Sequence, residues 1–338
     1  MSLLQRARRD GATFQNPVPT ASGLQGNTIA TVWRLLRGPE ERVPRPALPP
    51  FRTDASAYAG PAADLRVTWL GHSTVLLELD GRRILTDPMW AGYASPLPFG
   101  FGKRFFPVPL ALQDLPPLDL IIQSHDHYDH LDPATLRQLA RLQPTVPVLC
   151  PLGVGRYFTA AGFAAAQVRE LDWTDAAEVA GLRVTAVPAR HFSGRGMTGQ
   201  NQTLWASYVL QGPAHRVFFG GDTGPFLAGH TEIGQQYGPF DLTMLEVGAY
   251  GEDWPDIHLG PENAVQAHQA LRGRVLLPIH WGTFNLAFHA WREPVEQVQQ
   301  LAAAAGIPLL LPVPGVPTAV EPAGLISGWW ERKAAVTA

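Results

Sequence analysis

At 338 residues, with a net charge of −3 and 46% hydrophobic residues, the chain can build one large domain or two. So nearly neutral a balance gives no support to a nucleic-acid groove, which shows as a basic excess. Cys150 is the single cysteine, which excludes an intrachain disulfide and a thiolate cage for zinc.

No apolar run approaches the roughly 20 residues of a membrane span, and the first twenty residues lack an apolar stretch of signal-peptide length. The expectation is a cytoplasmic protein, with peripheral contact with a membrane left open. Residues 1–63 are rich in Pro, Gly, Arg and Ala, with one predicted helix around "NTIATVWRLLRG". They read as an extended arm packing on the core, since Phe14, Trp33 and Phe51 argue against a disordered tail. The main domain is expected over residues 64–338. "LRVTWLG", "STVLLEL" and "RRILTDP" are its first strands, and Asp80-Gly81 marks a hairpin between the second and third.

Residues 88–110, "PMWAGYASPLPFGFGKRFFPVPL", then bring Trp90, Tyr93, Phe99, Phe101, Phe105 and Phe106 beside Lys103 and Arg104. Aromatics with basic neighbours fit a lip facing a membrane; a proline-rich loop packed over a sheet edge fits equally. Asp119–Gln123 is a short buried strand. Asp132-Pro133 is the N-cap and first residue of a helix over "ATLRQLARL". Further strands are predicted at "VPVLCP", "GLRVTAVPA", "TLWASYVLQ", "HRVFFGG", "DLTMLEVG", "RVLLPIH" and "IPLLLP". Helices are predicted at "GVGRYFTAAG", "HTEIGQQYG", "PENAVQAHQALRG" and "EPVEQVQQLAAAAG". Hairpins followed by alternating strands and helices predict two mixed sheets packed face to face, with helices outside. The end of the chain reads as an extended segment whose Trp329 and Trp330 pack back.

The chemistry concentrates in "HDHYDH", residues 125–130, between the Asp119–Gln123 strand and its helix. His125 and His127, two apart in extended chain, point the same way and can grip one ion, while Asp129 and His130 can grip a neighbour. Four ligands do not complete two sites. Three further candidates stand at strand ends: His191 in "VPARHFSG", Asp222 in "FFGGDTG" and His280 in "LLPIHWGTF". Seven ligands allow three for each ion and one carboxylate to bridge. Imidazole and carboxylate without thiolate suit zinc, with manganese or iron as alternatives.

"SHDHYDHLD" with the downstream His, Asp and His resembles the metallo-β-lactamase superfamily. "VTWLGHSTVLLELDGRRILTDP", "LPPLDLIIQSHDHYDHLD", "ELDW", "GDTG", "GPFDL", "GAY" and "IHWGTF" resemble its N-acyl-phosphatidylethanolamine-hydrolysing phospholipase D branch. The similarity runs from about "QNPVPT" to the helix after "IHWGTF". It implies a four-layer αββα sandwich, two zinc ions, and phosphodiester hydrolysis by in-line attack of a hydroxide held between them. By matching motif, the ligands are His125, His127, His191, Asp129, His130 and His280, with Asp222 bridging. Asp129 would also accept the hydrogen bond of the attacking oxygen. His258 matches a histidine near the scissile phosphate, in the role of phosphate contact or leaving-group proton donor.

Two weaker candidates adjoin this set. Asp87 in "LTDPMW" reads either as an orienting partner for a ligand histidine or as a turn residue before Pro88. His72 in "LGHST" either lines the site or satisfies a strand end. Partners implied are a phospholipid or other phosphodiester, a membrane surface and a second copy of the chain, with no nucleic acid. The alternative chemistry is a metal-dependent lactonase related to ascorbate 6-phosphate lactonases. The lack of a basic excess argues against a ribonuclease Z-like nuclease, a non-catalytic binder would have lost a ligand, and a di-iron redox enzyme would carry a flavin partner domain.

Overall fold

The computed structural model describes residues 2–23, 25, 38–96, 102–196 and 198–331; the predicted helix around "NTIATVWRLLRG", with Trp33, and the aromatics Phe99 and Phe101 fall outside them. Two short strands, β1 (Arg9–Asp10) and β2 (Thr13–Phe14), pair near the start of the chain. The first large sheet opens with an antiparallel meander of β3 (Leu65–Gly71), β4 (Thr74–Leu79) and β5 (Arg82–Thr86). Asp80-Gly81 makes the two-residue turn, both residues at positive φ (47° and 79°), and Leu79 pairs with Arg82 across it. β6 (Leu120–Ile122), β7 (Val148–Pro151) and β8 (Val168–Leu171) extend this sheet in parallel, and β16 (Thr318–Ala319) closes its other edge beside β3.

The second sheet holds β9 (Ala176–Val179), β10 (Leu182–Val187), β11 (Ser207–Gln211) and β12 (Arg216–Phe219) in antiparallel order. β13 (Phe240–Glu246) and β14 (Gly273–Ile279) then join in parallel. A separate ribbon pairs β15 (Leu310–Leu311) with β17 (Leu325–Ile326).

Alternation along β4 explains the layering. Val75 and Leu77 point between the sheets, joining one core with Val184, Phe219 and Met244. Leu76, one residue over, belongs to an outer core with Ile121, Leu136, Leu139 and Phe158. That outer core lies under α1 (Pro133–Leu142) and α2 (Gly155–Ala161). α3 (Leu227–Tyr237), α4 (Gly260–Ala270) and α5 (Glu293–Ala305) pack together on the far side, with α4 against β13 and β14. The result is a four-layer αββα sandwich.

The proline-rich segment after β5 divides its aromatics. Phe106 turns inward, 1% exposed, against Phe51 and Trp329, so this residue belongs to the core rather than to an exposed lip. Trp90, Tyr93 and Phe105 stay partly exposed around a cleft of about 720 Å³ that Lys103 and Arg104 also line. Trp329 stacks on Trp281 at 5.3 Å, and Trp281 on Trp69 at 5.1 Å, tying the end of the described chain to β3.

Candidate metal centre

β6 ends one residue before Gln123, and the following loop is held by polar contacts on every side. His130 N and Leu131 N both donate to His127 O, which tightens the turn. Asp132 then accepts from Ala134 N and Thr135 N and starts α1, with Pro133 in the first turn. Arg195 stacks over Tyr128 at 4.0 Å and donates to the carbonyls of Asp126 (2.7 Å) and Leu131 (2.8 Å). Asp126 takes bonds from Gly194 N, Tyr157 Oη and Thr203 Oγ1. The loop is thus fixed before any ion is considered.

All seven candidate ligands come together. His127 Nδ1 lies 2.9 Å from His125 Nε2 and 3.3 Å from His191 Nε2. Asp222 Oδ2 lies 3.8 Å from His125 Nε2 and 3.7 Å from His191 Nε2. The same oxygen is 3.2 Å from both His130 Nε2 and His280 Nε2. Those two nitrogens sit 3.4 and 3.3 Å from Asp129 Oδ2. Two clusters, each with its ligand atoms within 4.8 Å of one another, therefore meet at Asp222: His125, His127, His191 and Asp222 on one side, and His72, Asp129, His130 and His280 on the other.

The outer nitrogens set which atom of each ring faces inward. His191 Nδ1 donates to Ile257 O at 2.8 Å, leaving Nε2 a lone pair toward the centre. His130 Nδ1 donates to Asp87 Oδ2 at 2.7 Å. His125 Nδ1 donates to Ser124 Oγ, which itself donates to Asp87. Asp87 thus orients one ring directly and another through Ser124, while also accepting from Gln123 Nε2 and Ser124 N. His72 Nε2 donates to Asp129 Oδ2 at 2.9 Å, and its backbone N is held by Thr283 Oγ1. The cost appears in the backbone, where His72, Asp87 and His280 all take left-handed φ (57°, 36° and 64°). Such strain gathers where surrounding structure over-determines a site. Gly248 permits the close approach of strand ends, since a Cβ there would lie 2.1 Å from His280 O.

Charge separates the two clusters. Burial pushes the His125 and His191 imidazoles well below their ordinary range, the neutral form a ligand needs. Burial would do the same to His130 and His280, but the Asp222 and Asp129 carboxylates outweigh it, raising His130 well above its ordinary value and His280 to about 10. Those carboxylates, despite their burial, are in turn held well below theirs by the His130 charge. His130 Nε2, His280 Nε2 and Asp222 Oδ1 are buried without a hydrogen-bond partner. Orphaned polar atoms of this kind are rare in folded proteins. Here the two imidazole nitrogens lie beside the Asp222 carboxylate, and imidazole plus carboxylate match the donor set of a divalent cation.

His258 stands at the rim, its Nδ1 4.0 Å from Asp222 Oδ2. Its closer partner is Glu246, which accepts from His258 Nδ1 at 2.6 Å and from Thr223 N at 2.6 Å. Glu246 is fully buried at the end of β13 and is not among the candidates that the sequence suggests. Its position at a strand end, where Asp222 and His280 also sit, was the available signal.

The model of the beta-lactamase superfamily domain matches residues 82–281. An uncharacterized protein of Mycobacterium bovis is 45% identical over 304 residues, covering 88% of this chain and 80% of that one. The N-acyl-phosphatidylethanolamine-hydrolyzing phospholipase D 1 of Caenorhabditis elegans is 38% identical over 250 residues, covering 71% of this chain and 70% of that one. Among solved structures, Igni18, a metallo hydrolase from Ignicoccus hospitalis, superposes with a TM-score of 0.57 at 25% identity, covering 75% of this chain and 97% of that one. Among the described residues no helix is long and apolar enough to cross a membrane. Fold, converging ligand atoms and relatives agree: the chain is a metal-dependent hydrolase of the metallo-β-lactamase superfamily, in its N-acyl-phosphatidylethanolamine-hydrolysing phospholipase D-like branch.

Proposed function

We propose that this hydrolase is a phosphodiesterase of phospholipase D type, acting on N-acyl-phosphatidylethanolamine or a related phospholipid. The observation that carries the reading is the pair of ligand clusters meeting at Asp222, with the His258–Glu246 pair at their rim. His125, His127 and His191 would hold one zinc ion and Asp129, His130 and His280 the other, with Asp222 shared; manganese or iron also suits this donor set. Bound there, such cations supply Lewis acidity at phosphoryl oxygens and lower the pKa of water.

The chain's own groups do the rest. Asp129, its side chain 16% exposed against 1% for Asp222, is the carboxylate that solvent can reach. It accepts a hydrogen bond from the attacking water, and His72 steadies it from behind. His258 gives Nδ1–H to Glu246, so a second proton carried on Nε2 is the one that passes to the departing alcohol oxygen as the phosphorus–oxygen bond breaks. With N-acyl-phosphatidylethanolamine the products are phosphatidate and an N-acylethanolamine.

A lipid substrate is supported by the name of the Caenorhabditis elegans relative and by the cleft whose partly exposed aromatics stand beside Lys103. Peripheral contact through that cleft predicts co-sedimentation with anionic vesicles. The test of function is mass spectrometry of products after incubation with vesicles containing N-acyl-phosphatidylethanolamine, run beside metal analysis. Appearance of N-acylethanolamine with phosphatidate supports the proposal. Opening of lactones without turnover of any phosphodiester would replace it with the lactonase reading.

A further inference from the structure

Six of the seven candidate ligands stand close to the end of a strand or in the short loop that enters α1, so the sheet ladders and a helix cap place them. His191 has such support only through its neighbour Arg190, whose N donates to Thr223 Oγ1 and whose O accepts from Gly224 N. It lies four residues past β10, in a connection that reaches β11 without helix or strand among its described residues. Its main chain nevertheless has both polar groups satisfied, and one side chain from the start of the protein does it. Asn16 Nδ2 donates to His191 O at 2.6 Å, and His191 N donates to Asn16 Oδ1 at 3.0 Å. The carboxamide closes a ring with this residue as a neighbouring strand would.

The flanking contacts lock the same stretch. Phe14, 2% exposed, sits in the core and its N donates to Asn201 O. Arg190 donates to Thr20 Oγ1 and Pro19 O and pairs with Asp256 at 2.8 Å. Asp256 in turn accepts from Ala21 N, and its neighbour Ile257 receives the His191 Nδ1 proton. Residues 14–21 therefore strap together the His191 loop and the loop that carries His258.

We infer that Asn16 is the positioning residue for His191, so that the N-terminal segment governs occupancy of one metal position and leaves the other alone. The inference rests on the metal assignment above. The test uses the full chain with zinc and with cobalt(II) as a spectroscopic probe, reading two dissociation constants by chelator competition. Asn16→Ala should weaken one of the two bound ions by about 10–100-fold, the usual effect of removing an orienting partner. The second ion should stay within about 3-fold, and the cobalt absorption bands of only one position should change. Arg6→Ala is the control: it removes ion pairs of the same segment to Asp172 and Asp175 without touching His191, and should lower Tm while sparing both affinities. Should Asn16→Ala fail to fold, Asn16→Asp, which keeps the acceptor and loses the donor, carries the same readout. Retention of both ions at native affinity, or equal weakening of both, overturns the inference. An unmodified chain that binds no divalent cation overturns the metal assignment instead.

Discussion

At one end of the sandwich the β4–β5 turn reaches across to the β11–β12 turn. Asp80 there accepts from Ala214 N, His215 N and His215 Nδ1, the last at 2.6 Å, and both carboxylate oxygens are engaged. At the opposite end β5, β6, β12 and β14 also deliver polar side chains from both sheets, yet His130 Nε2, His280 Nε2 and Asp222 Oδ1 remain buried without a hydrogen bond. The same sheets thus carry a finished polar contact at one end and an unfinished one at the other. A satisfied carboxylate bridges two turns and contributes stability; a convergent set of buried polar atoms without hydrogen bonds is built for a partner the chain does not itself contain.

Substitutions at the two ends should separate these roles. The largest effect is expected for Asp222→Ala or His127→Ala, which should lower metal content and reduce hydrolysis of bis-p-nitrophenyl phosphate by at least ~10³-fold; unchanged turnover would break the contrast. Next comes a split by leaving group. His258→Ala and Glu246→Gln should slow cleavage of a diester with an alkyl leaving group by roughly 10²–10⁴-fold. Both should spare bound metal and the nitrophenyl diester, whose phenolate departs without a proton. Equal loss on both substrates would remove His258 from proton donation.

Gly221→Ala probes packing beside Asp222. Gly221 has φ +57°, and a Cβ there would lie 2.6 Å from the Ser124 Cβ. The variant should lose about 2–5 kcal/mol of stability in urea titration, and metal affinity with it, because Ser124 links His125 to Asp87.

At the other end, Asp80→Asn should cost about 1–3 kcal/mol and leave turnover per folded molecule unchanged. Its pH dependence has a definite sign. Burial raises the Asp80 carboxyl, but hydrogen bonds from His215 and from the Ala214 and His215 amides outweigh it, so the folded value lies below the ordinary 3.8. Its contribution is therefore fully present above pH 3.8 and is lost as pH falls through the folded value. The gap between native and variant should close in acid; a constant gap would contradict the account.

Much of the metal end is legible in sequence, and the reason is locality. His125, His127, Asp129 and His130 fall within six residues, and Asp222 and His280 follow directly on strongly apolar strands that periodicity exposes. Asp80-Gly81 is legible because its two positive φ values demand such residues. Glu246 is not, since a glutamate closing "DLTMLE" looks like any polar strand end until β12 and α4 bring Thr223 and His258 to it. Asn16 is hidden by sequence distance, because its partner lies 175 residues away. β8 and β9 escape because Ala and Glu in "VREL" and "AAEV" carry little strand preference, and pairing with neighbours decides them. Phe106 reads as part of an exposed aromatic run, and only the packing of Phe51 and Trp329 turns it inward.

The most direct measurement is anomalous scattering from crystals of the metal-loaded protein, recorded at the zinc edge. Two peaks about 3.5–4 Å apart, one on either side of Asp222, are the predicted result. A single peak, or peaks away from that carboxylate, would contradict the shared centre.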